Sequence, residues 1–168
     1  MGYTTYLVHE FHRAFGVEVQ ETPGLPEHPD GSVHESETVV ELCRLSDDMR
    51  HLGEELHTAA EQCSGDTRLL RLQLLQEELA ELAEAIYQED LVACLDALCD
   101  LQYVLDGTIL SLGMQDIFWE AFVEVHKSNM TKLDAQGNPV VNEAGSVVKS
   151  DQFREPDLHQ FIDRETPP

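Results

Sequence analysis

The chain has 168 residues, 42% of them hydrophobic, which suits a single domain over residues 1–168 with a substantial core. Ten Lys and Arg face 33 Asp and Glu, so the formal net charge is −23. Nucleic-acid polymers and membranes with anionic surfaces are bound through Lys and Arg, and this charge argues against both as partners. A ligand that carries phosphates would need metal ions or a few well-placed cations.

The cysteines and the N-terminal residues predict the compartment. Cys43, Cys63, Cys94 and Cys99 include no Cys-x-x-Cys pair, so we expect buried free thiols rather than a disulfide framework or a zinc site. The first residues show no basic segment followed by an apolar stretch. No apolar run approaches the roughly 20 residues that span a bilayer. These patterns predict a soluble, cytoplasmic protein.

Apolar residues at spacings of three and four predict five helices. Ser64, Gly65 and Asp66 separate the second from the third, and Asp66 is the expected N-cap of the third. Gly16 and Gly113 are expected to end the first and the fourth. The predicted helices cover about residues 4–15, 36–62, 67–88, 90–111 and, beginning at Asp116, 116–130.

The remaining residues predict an irregular C-terminal arm. From about 133 to 168 the sequence is rich in Gly, Asn, Asp and Pro. Two short apolar pieces, 139–141 and 146–148, flank a turn-like segment and predict a small hairpin. The predicted fold class is therefore all-α, a helical bundle with an irregular arm.

Acidic residues lie beside the apolar stripes of the third and fourth helices rather than opposite them. The fourth helix is apolar nearly all round, which predicts burial on most sides, yet it carries Asp96 and Asp100 one turn apart. In the third helix, the stripe is Leu75, Leu79, Leu82 and Ile86, and the neighbouring acids are Glu77, Glu78, Glu81 and Glu84.

These clustered acids predict a metal site. An ionised carboxylate that leaves water without a partner is costly, clustered acids repel one another, and protein cations are scarce in this chain. Carboxylate oxygens are the ligands that hard divalent cations prefer. Two facing helices would offer four or five such groups to one or two cations.

The chain resembles the all-α nucleoside triphosphate pyrophosphohydrolases, the MazG-like and phosphoribosyl-ATP pyrophosphohydrolase-like group. A Glu-x-x-Glu piece by itself is common on amphipathic helices, but its order and spacing with the later pieces are specific. The resemblance covers most of the chain except about residues 28–65. The pieces that carry it are 9–16, 77–82, 96–104, 124–132, 145–149 and 156–158.

The resemblance implies a helical bundle that is completed by subunit association, as a homodimer or a homotetramer. It implies Mg²⁺ or Mn²⁺ between the two acidic helices and cleavage of a nucleoside triphosphate to the monophosphate and pyrophosphate, which would control the nucleotide pool. The implied metal ligands are Glu78, Glu81 and Asp100, joined by Glu77 and Asp96. Among the catalytic residues Glu77, Glu78 and Glu81, either Glu77 or Glu81 would orient the attacking water as the general base.

The sequence departs from the family pattern at one position. The second acidic pair is usually Glu-x-x-Asp, which would place Glu at position 97, and this chain has Ala97. We expect Asp96 to take over that role. Residues of about 30–65 form an added helical insertion that would reshape the substrate pocket or the subunit interface.

Cations near the ends of the chain supply candidate substrate contacts. Lys132 and Lys149 fit the triphosphate, and Asn129 fits a sugar or phosphate group. His12 and Arg13 of the first helix are candidates for base recognition.

Several alternatives remain open at this point. Candidate substrates are a canonical deoxynucleotide, dUTP, a modified nucleotide and phosphoribosyl-ATP. The last is disfavoured, because the C-terminal arm matches the deoxynucleotide-type relatives of the family better. A di-iron carboxylate bundle would need Glu-x-x-His on two helices, and only Glu54 with His57 supplies one. A non-enzymatic helical interaction module is the third reading, motivated by Ala97.

Overall fold

The computed structural model describes residues 2–25, 37–142 and 146–163, and these residues form an all-α protein. The predicted fold class is thus confirmed. Within the described residues there is no strand, only two isolated antiparallel bridges. The helices are α1 (Tyr3–Phe15), α2 (Glu37–Gln62), α3 (Thr67–Tyr87), α4 (Leu91–Ser111), α5 (Phe118–Met130) and α6 (His159–Ile162).

The first four helices begin and end within a residue or so of their predicted limits, and the later part of the chain differs from the prediction at two points. Helix α5 begins at Phe118 with Ile117 as its N-cap, so Asp116 does not open it. The short α6 was not predicted, because four residues carry too little periodicity. Of the predicted hairpin, an isolated bridge joins Val141 to Val147, and residues 143–145 lie outside the described residues.

The chain divides into two compact units. The first consists of Met1–Val19 and Met114–Pro168, and the second is Gln20–Gly113. The prediction of one domain over the whole chain stays a prediction.

The second unit is a layer of three helices in which α3 packs against both α2 and α4. Helices α3 and α4 are joined by only three residues and therefore run antiparallel. The turn is fixed by Glu89 in the left-handed region at φ 56° and by Asp90, whose carboxylate accepts hydrogen bonds from the N–H groups of Val92 and Ala93 at 2.9 and 3.0 Å. Between α2 and α3, the Gln76 side-chain amide donates to the Met49 carbonyl at 3.0 Å. These contacts hold the acidic faces of α3 and α4 in a defined register.

Hydroxyl groups attach the C-terminal arm to the end of α5 in the first unit. Buried Ser128 donates from Oγ to the Arg154 carbonyl at 2.7 Å, and Thr131 Oγ1 accepts from the Arg154 N–H at 2.9 Å. Ser150 Oγ lies 2.8 Å from the Leu133 carbonyl. Helix α1 packs on α5, where His126 Nε2 lies 3.2 Å from a Glu10 carboxylate oxygen. The described part of the arm is irregular, as predicted, because side-chain hydroxyls and isolated backbone hydrogen bonds, rather than a continuous strand ladder, satisfy its polar groups.

Asp66 caps α3, as predicted. Its carboxylate accepts from the Arg68 N–H at 2.9 Å, and the Arg68 guanidinium pairs with it at 2.6 Å. The side-chain hydrogen bond from Arg68, followed by the backbone hydrogen bond, lowers the pKa of Asp66 from 3.8 to about 2.

This lowered pKa predicts an acid-dependent stability term. The unfolded state binds the proton more readily than the native state, so the contribution is present above pH 3.8 and is lost as the pH falls towards about 2. Asp66→Asn keeps a good N-cap but removes the titrating group. We expect the acid unfolding curve of this variant, followed by circular dichroism, to be flatter than wild type in that interval. Identical slopes would contradict the assignment.

The cysteine prediction is only partly correct. All four thiols are free, but Cys63 and Cys99 are exposed, Cys43 is half-buried, and Cys94 alone is buried. Cys99 lies on a side of the apolar helix α4 that carries other exposed apolar residues.

No helix in the described part of the chain is both long and apolar enough to cross a membrane.

Candidate active site

The five carboxylates of α3 and α4 that the resemblance implies as metal ligands form one cluster. Burial is the largest cause that raises the pKa of Glu78, followed by repulsion from Glu81, Asp100, Glu77 and Asp96 in that order. These four carboxylates therefore lie within electrostatic reach of Glu78, which is half-buried while they are exposed. We call these five residues the acidic cluster.

Members of the acidic cluster have no cationic or hydrogen-bonding partner among the described residues. The acids around them do have partners. Glu84, one turn beyond Glu81, pairs with Arg50 of α2 at 3.1 Å and accepts from Gln88 at 2.9 Å. Asp106 of α4 accepts from Gln102 at 3.0 Å. The negative charge of the cluster is thus uncompensated by the described protein groups.

The departure at position 97 has a structural counterpart. Ala97 is buried, with 3% of its surface exposed, whereas the neighbouring Asp96 is exposed and contributes to the raised pKa of Glu78. The carboxylate that joins Asp100 near Glu78 is therefore that of Asp96.

The chemistry of the acidic cluster fits a hard divalent cation, since all of its ligating atoms are carboxylate oxygens and a cation would relieve their mutual repulsion. As the side chains stand, no group of three or more His, Cys, Asp or Glu among the described residues is arranged to hold a metal ion. Four of the five carboxylates are exposed and unpartnered within that part of the chain, so their rotamers can change at little cost. The donor set fits the metal, and closing it around an ion requires side-chain rotation.

A cavity of about 490 Å³ lies between α2 and α3 and includes two members of the acidic cluster. This volume is typical of small-molecule sites. Its lining residues are Arg50, Gly53, Glu54, His57 and Thr58 of α2, and Gln73, Glu77, Ala80, Glu81 and Glu84 of α3.

Sequence reasoning missed the α2 side of this cavity. Arg50 is the one cation among the lining residues, and His57 accepts a hydrogen bond at Nδ1 from the Gln73 side-chain amide at 2.9 Å. The five α2 residues recur at spacings of three and four, which marks one helix face. This spacing could have indicated the site. Because the stripe is polar, however, the sequence alone suggests a solvent-exposed face, and only the packing of α3 shows that it faces another helix.

The predicted substrate contacts lie in the first unit. Arg13 lines a second cavity of about 490 Å³ with Met130, and His12 Nδ1 lies 3.4 Å from the Glu18 carbonyl. The Lys132 ammonium lies 6.0 Å from the centre of the Phe11 ring and has no acidic partner among the described residues. Lys149 is engaged, since it pairs with Glu155 at 2.6 Å and lies 4.3 Å from the Phe153 ring centre. Asn129 is half-buried near the end of α5.

A comparison with protein families identifies the chain. The family model for phosphoribosyl-ATP pyrophosphohydrolase matches residues 42–129, which is just over half of the chain and contains the whole acidic cluster. The chain belongs to this family.

Membership in the phosphoribosyl-ATP pyrophosphohydrolase family confirms the resemblance seen in the sequence and places the chain among nucleotide pyrophosphohydrolases, which are hydrolases. The match begins inside α2, so most of that helix falls within the family domain. No curated protein and no solved structure gives a significant match to the chain.

Proposed function

We propose that the protein cleaves a nucleoside triphosphate between its α- and β-phosphates, releasing the monophosphate and pyrophosphate, with Mg²⁺ or Mn²⁺ as cofactor. The observation that carries the proposal is the acidic cluster, five carboxylates without a protein partner among the described residues, in a chain of a pyrophosphohydrolase family.

Glu78, Glu81 and Asp100 would hold the metal, with Glu77 and Asp96 as further ligands. Bound there, a divalent ion would neutralise charge on phosphate oxygens and lower the pKa of an attacking water.

In the proposed reaction, the chain supplies the general base and the substrate supplies the leaving group. Glu77 or Glu81 accepts the proton of the water as general base. The water oxygen forms a bond to the α-phosphorus, and the bond from that phosphorus to the bridging oxygen breaks. The electron pair leaves with pyrophosphate.

The cavity between α2 and α3 would take the nucleoside, because Glu77 and Glu81 line both this cavity and the acidic cluster. His57, Thr58 and Gln73 offer hydrogen-bonding groups for a base or sugar. Of the substrate contacts predicted in the first unit, Lys132 remains the stronger candidate and Lys149 the weaker. Lys149 would have to leave Glu155 before it could bind a phosphate. Asn129, His12 and Arg13 stay predictions.

We further propose that the protein works as a homo-oligomer through α4. Val92, Tyr103 and Leu110 are exposed by 79%, 82% and 63%, and with exposed Cys99 they lie within about 20° of one line along the helix. Soluble proteins seldom leave such a stripe uncovered. A second copy covering it would supply the burial that the sequence predicts for α4, as a homodimer or a homotetramer. The free thiols suit a reducing compartment such as the cytoplasm.

A nucleotide panel tests the proposed reaction. Purified protein with Mg²⁺ or Mn²⁺ is offered dNTPs including dUTP, NTPs, a modified nucleotide and phosphoribosyl-ATP, and pyrophosphate and orthophosphate are measured separately. We expect pyrophosphate from at least one substrate and none after chelation of the metal. Orthophosphate alone would defeat the proposed cleavage between the α- and β-phosphates. No turnover with any nucleotide would defeat the proposal and favour an interaction module. Iron in the purified protein would favour the di-iron reading.

A further inference from the structure

Arg71 of α3 is a cation without a counter-charge among the described residues. Its Nε is buried and has no hydrogen-bond partner, and its guanidinium makes no ion pair with any described residue. In a chain with 33 acidic residues, an unpaired arginine is unexpected, and burying such a group without a partner is costly. Arg68, one turn earlier on the same helix, pairs with Asp66 at 2.6 Å.

The guanidinium lies where α4 has no side chain. A Cβ built on Gly107 would be 2.9 Å from Arg71 Nη1 and 3.7 Å from its Cζ. Any larger residue at this position would displace the end of the arginine. The neighbouring Asp106 makes no ion pair with Arg71, and its carboxylate accepts from the Gln102 side chain instead.

Arg71 and the acidic cluster occupy the same seam between α3 and α4. Arg71 lies seven residues before Glu78 in α3, and Gly107 lies seven residues after Asp100 in α4. Seven residues are close to two helical turns, so each pair shares one helix face at a separation of about 10 Å along the axis. An extended triphosphate with its α-phosphate at the cluster could reach the guanidinium. A planar guanidinium donates two parallel hydrogen bonds to phosphate oxygens.

We propose that Arg71 binds the β- and γ-phosphates of the substrate and, after cleavage, the pyrophosphate. The inference rests on the proposed function and gives the site a direction, with the leaving group in the seam towards Arg71 and the nucleoside on the opposite, α2 side of α3. Gly107 keeps the space that the guanidinium and the phosphates share.

Binding of the two products tests the inference. Affinities for pyrophosphate and for the nucleoside monophosphate are measured by calorimetry with Mn²⁺ present, for wild type, Arg71→Gln, Arg71→Lys and the control Arg68→Gln. We expect Arg71→Gln to weaken pyrophosphate binding about 10- to 100-fold. Monophosphate binding should change less than about 2-fold, Arg71→Lys should be intermediate, and Arg68→Gln should match wild type in both.

Gly107→Ala is the second variant, and it leaves the charge in place. The clash falls on the far end of a flexible side chain, so the protein should fold while the guanidinium shifts. We expect weaker pyrophosphate binding with unchanged monophosphate binding.

Three results would overturn the inference. The first is an Arg71→Gln variant that binds pyrophosphate as tightly as wild type does. The second is an Arg71→Gln variant that loses the same factor of affinity for pyrophosphate and for the monophosphate. The third is an Arg71→Gln variant whose oligomer dissociates while pyrophosphate binding stays intact. That result would show that Arg71 pairs with a carboxylate of a second copy of the chain. Failure of the proposed function looks different, because wild type would then release pyrophosphate from no nucleotide at all.

Discussion

Glu78→Gln or Asp100→Asn is expected to lower kcat/KM by about 10³-fold or more, which corresponds to about 4 kcal/mol of lost transition-state stabilisation. Glu78 is the half-buried member of the acidic cluster, and Asp100 is the α4 carboxylate that contributes most to the raised pKa of Glu78. Either change removes a charged ligand without a change in volume. We expect Mn²⁺ binding, measured by calorimetry, to be lost with helical content unchanged.

Asp106→Asn is the matched control for Asp100→Asn. Asp106 lies on α4 outside the acidic cluster and accepts a hydrogen bond from Gln102, which an amide oxygen can also accept. This variant should keep wild-type turnover and metal affinity. Retained activity in both Glu78→Gln and Asp100→Asn would defeat the site assignment, as would a manganese-soaked crystal with no ion between these two residues.

The same Glu78→Gln variant should be slightly more stable than wild type when no metal is present. Because the folded pKa of Glu78 is raised above 4.5, the native state binds this proton more readily than the unfolded state. Its favourable contribution is therefore present below pH 4.5 and is lost as the pH rises through the raised value. At neutral pH the amide removes the repulsion, a gain of about 0.5 kcal/mol, which chemical denaturation would detect. Added Mn²⁺ should reverse the order of stability.

Tyr103→Asp is expected to convert the proposed oligomer to monomers and to lower Tm by roughly 5–10 °C, because a charge replaces a large apolar group in a buried interface. Tyr103 is 82% exposed within one chain and lies in the middle of the α4 stripe. Sedimentation velocity measures the mass, and calorimetry measures Tm.

Val40→Asp provides the comparison for Tyr103→Asp. Val40 of α2 is an exposed apolar residue outside α4, at 68% exposure, so its replacement should leave the mass unchanged. A wild-type protein that sediments as a monomer at micromolar concentration would refute the interface. Equal dissociation by both variants would show that the interface is not confined to α4.

Periodicity and local capping chemistry were enough to predict the main helices. The spacing of three and four fixed α1 to α4 closely, and Asp66 and Asp90 show why their starts are sharp, since each carboxylate satisfies N–H groups that the helix leaves unpaired. The start of α5 was placed at Asp116 because Asp is a good N-cap, but the first turn there is not helical and Ile117 takes the position. Local preference did not decide where that turn becomes a helix.

The acidic cluster could also be predicted from the sequence, since carboxylates clustered beside apolar stripes need a cation to balance their charge. What the sequence could not provide was pairing between helices. Glu84 follows Glu81 by one turn and looks equivalent on a helical wheel, yet Arg50 of α2 neutralises it. Nothing in the sequence distinguishes Arg71 from a surface cation, and only the packing of α4 places Gly107 against it.

The sequence alone determined the helical class, the limits of α1 to α4 and the excess of uncompensated carboxylates, because these follow from spacing, caps and charge within short stretches of chain. Only the tertiary structure decided which acids meet across α3 and α4, which acid is paired by α2, and which face of α4 is left uncovered. Those outcomes depend on the rotation of each helix about its axis and on its register against its neighbour. Both are set by contacts between residues far apart in the chain, which no local pattern encodes.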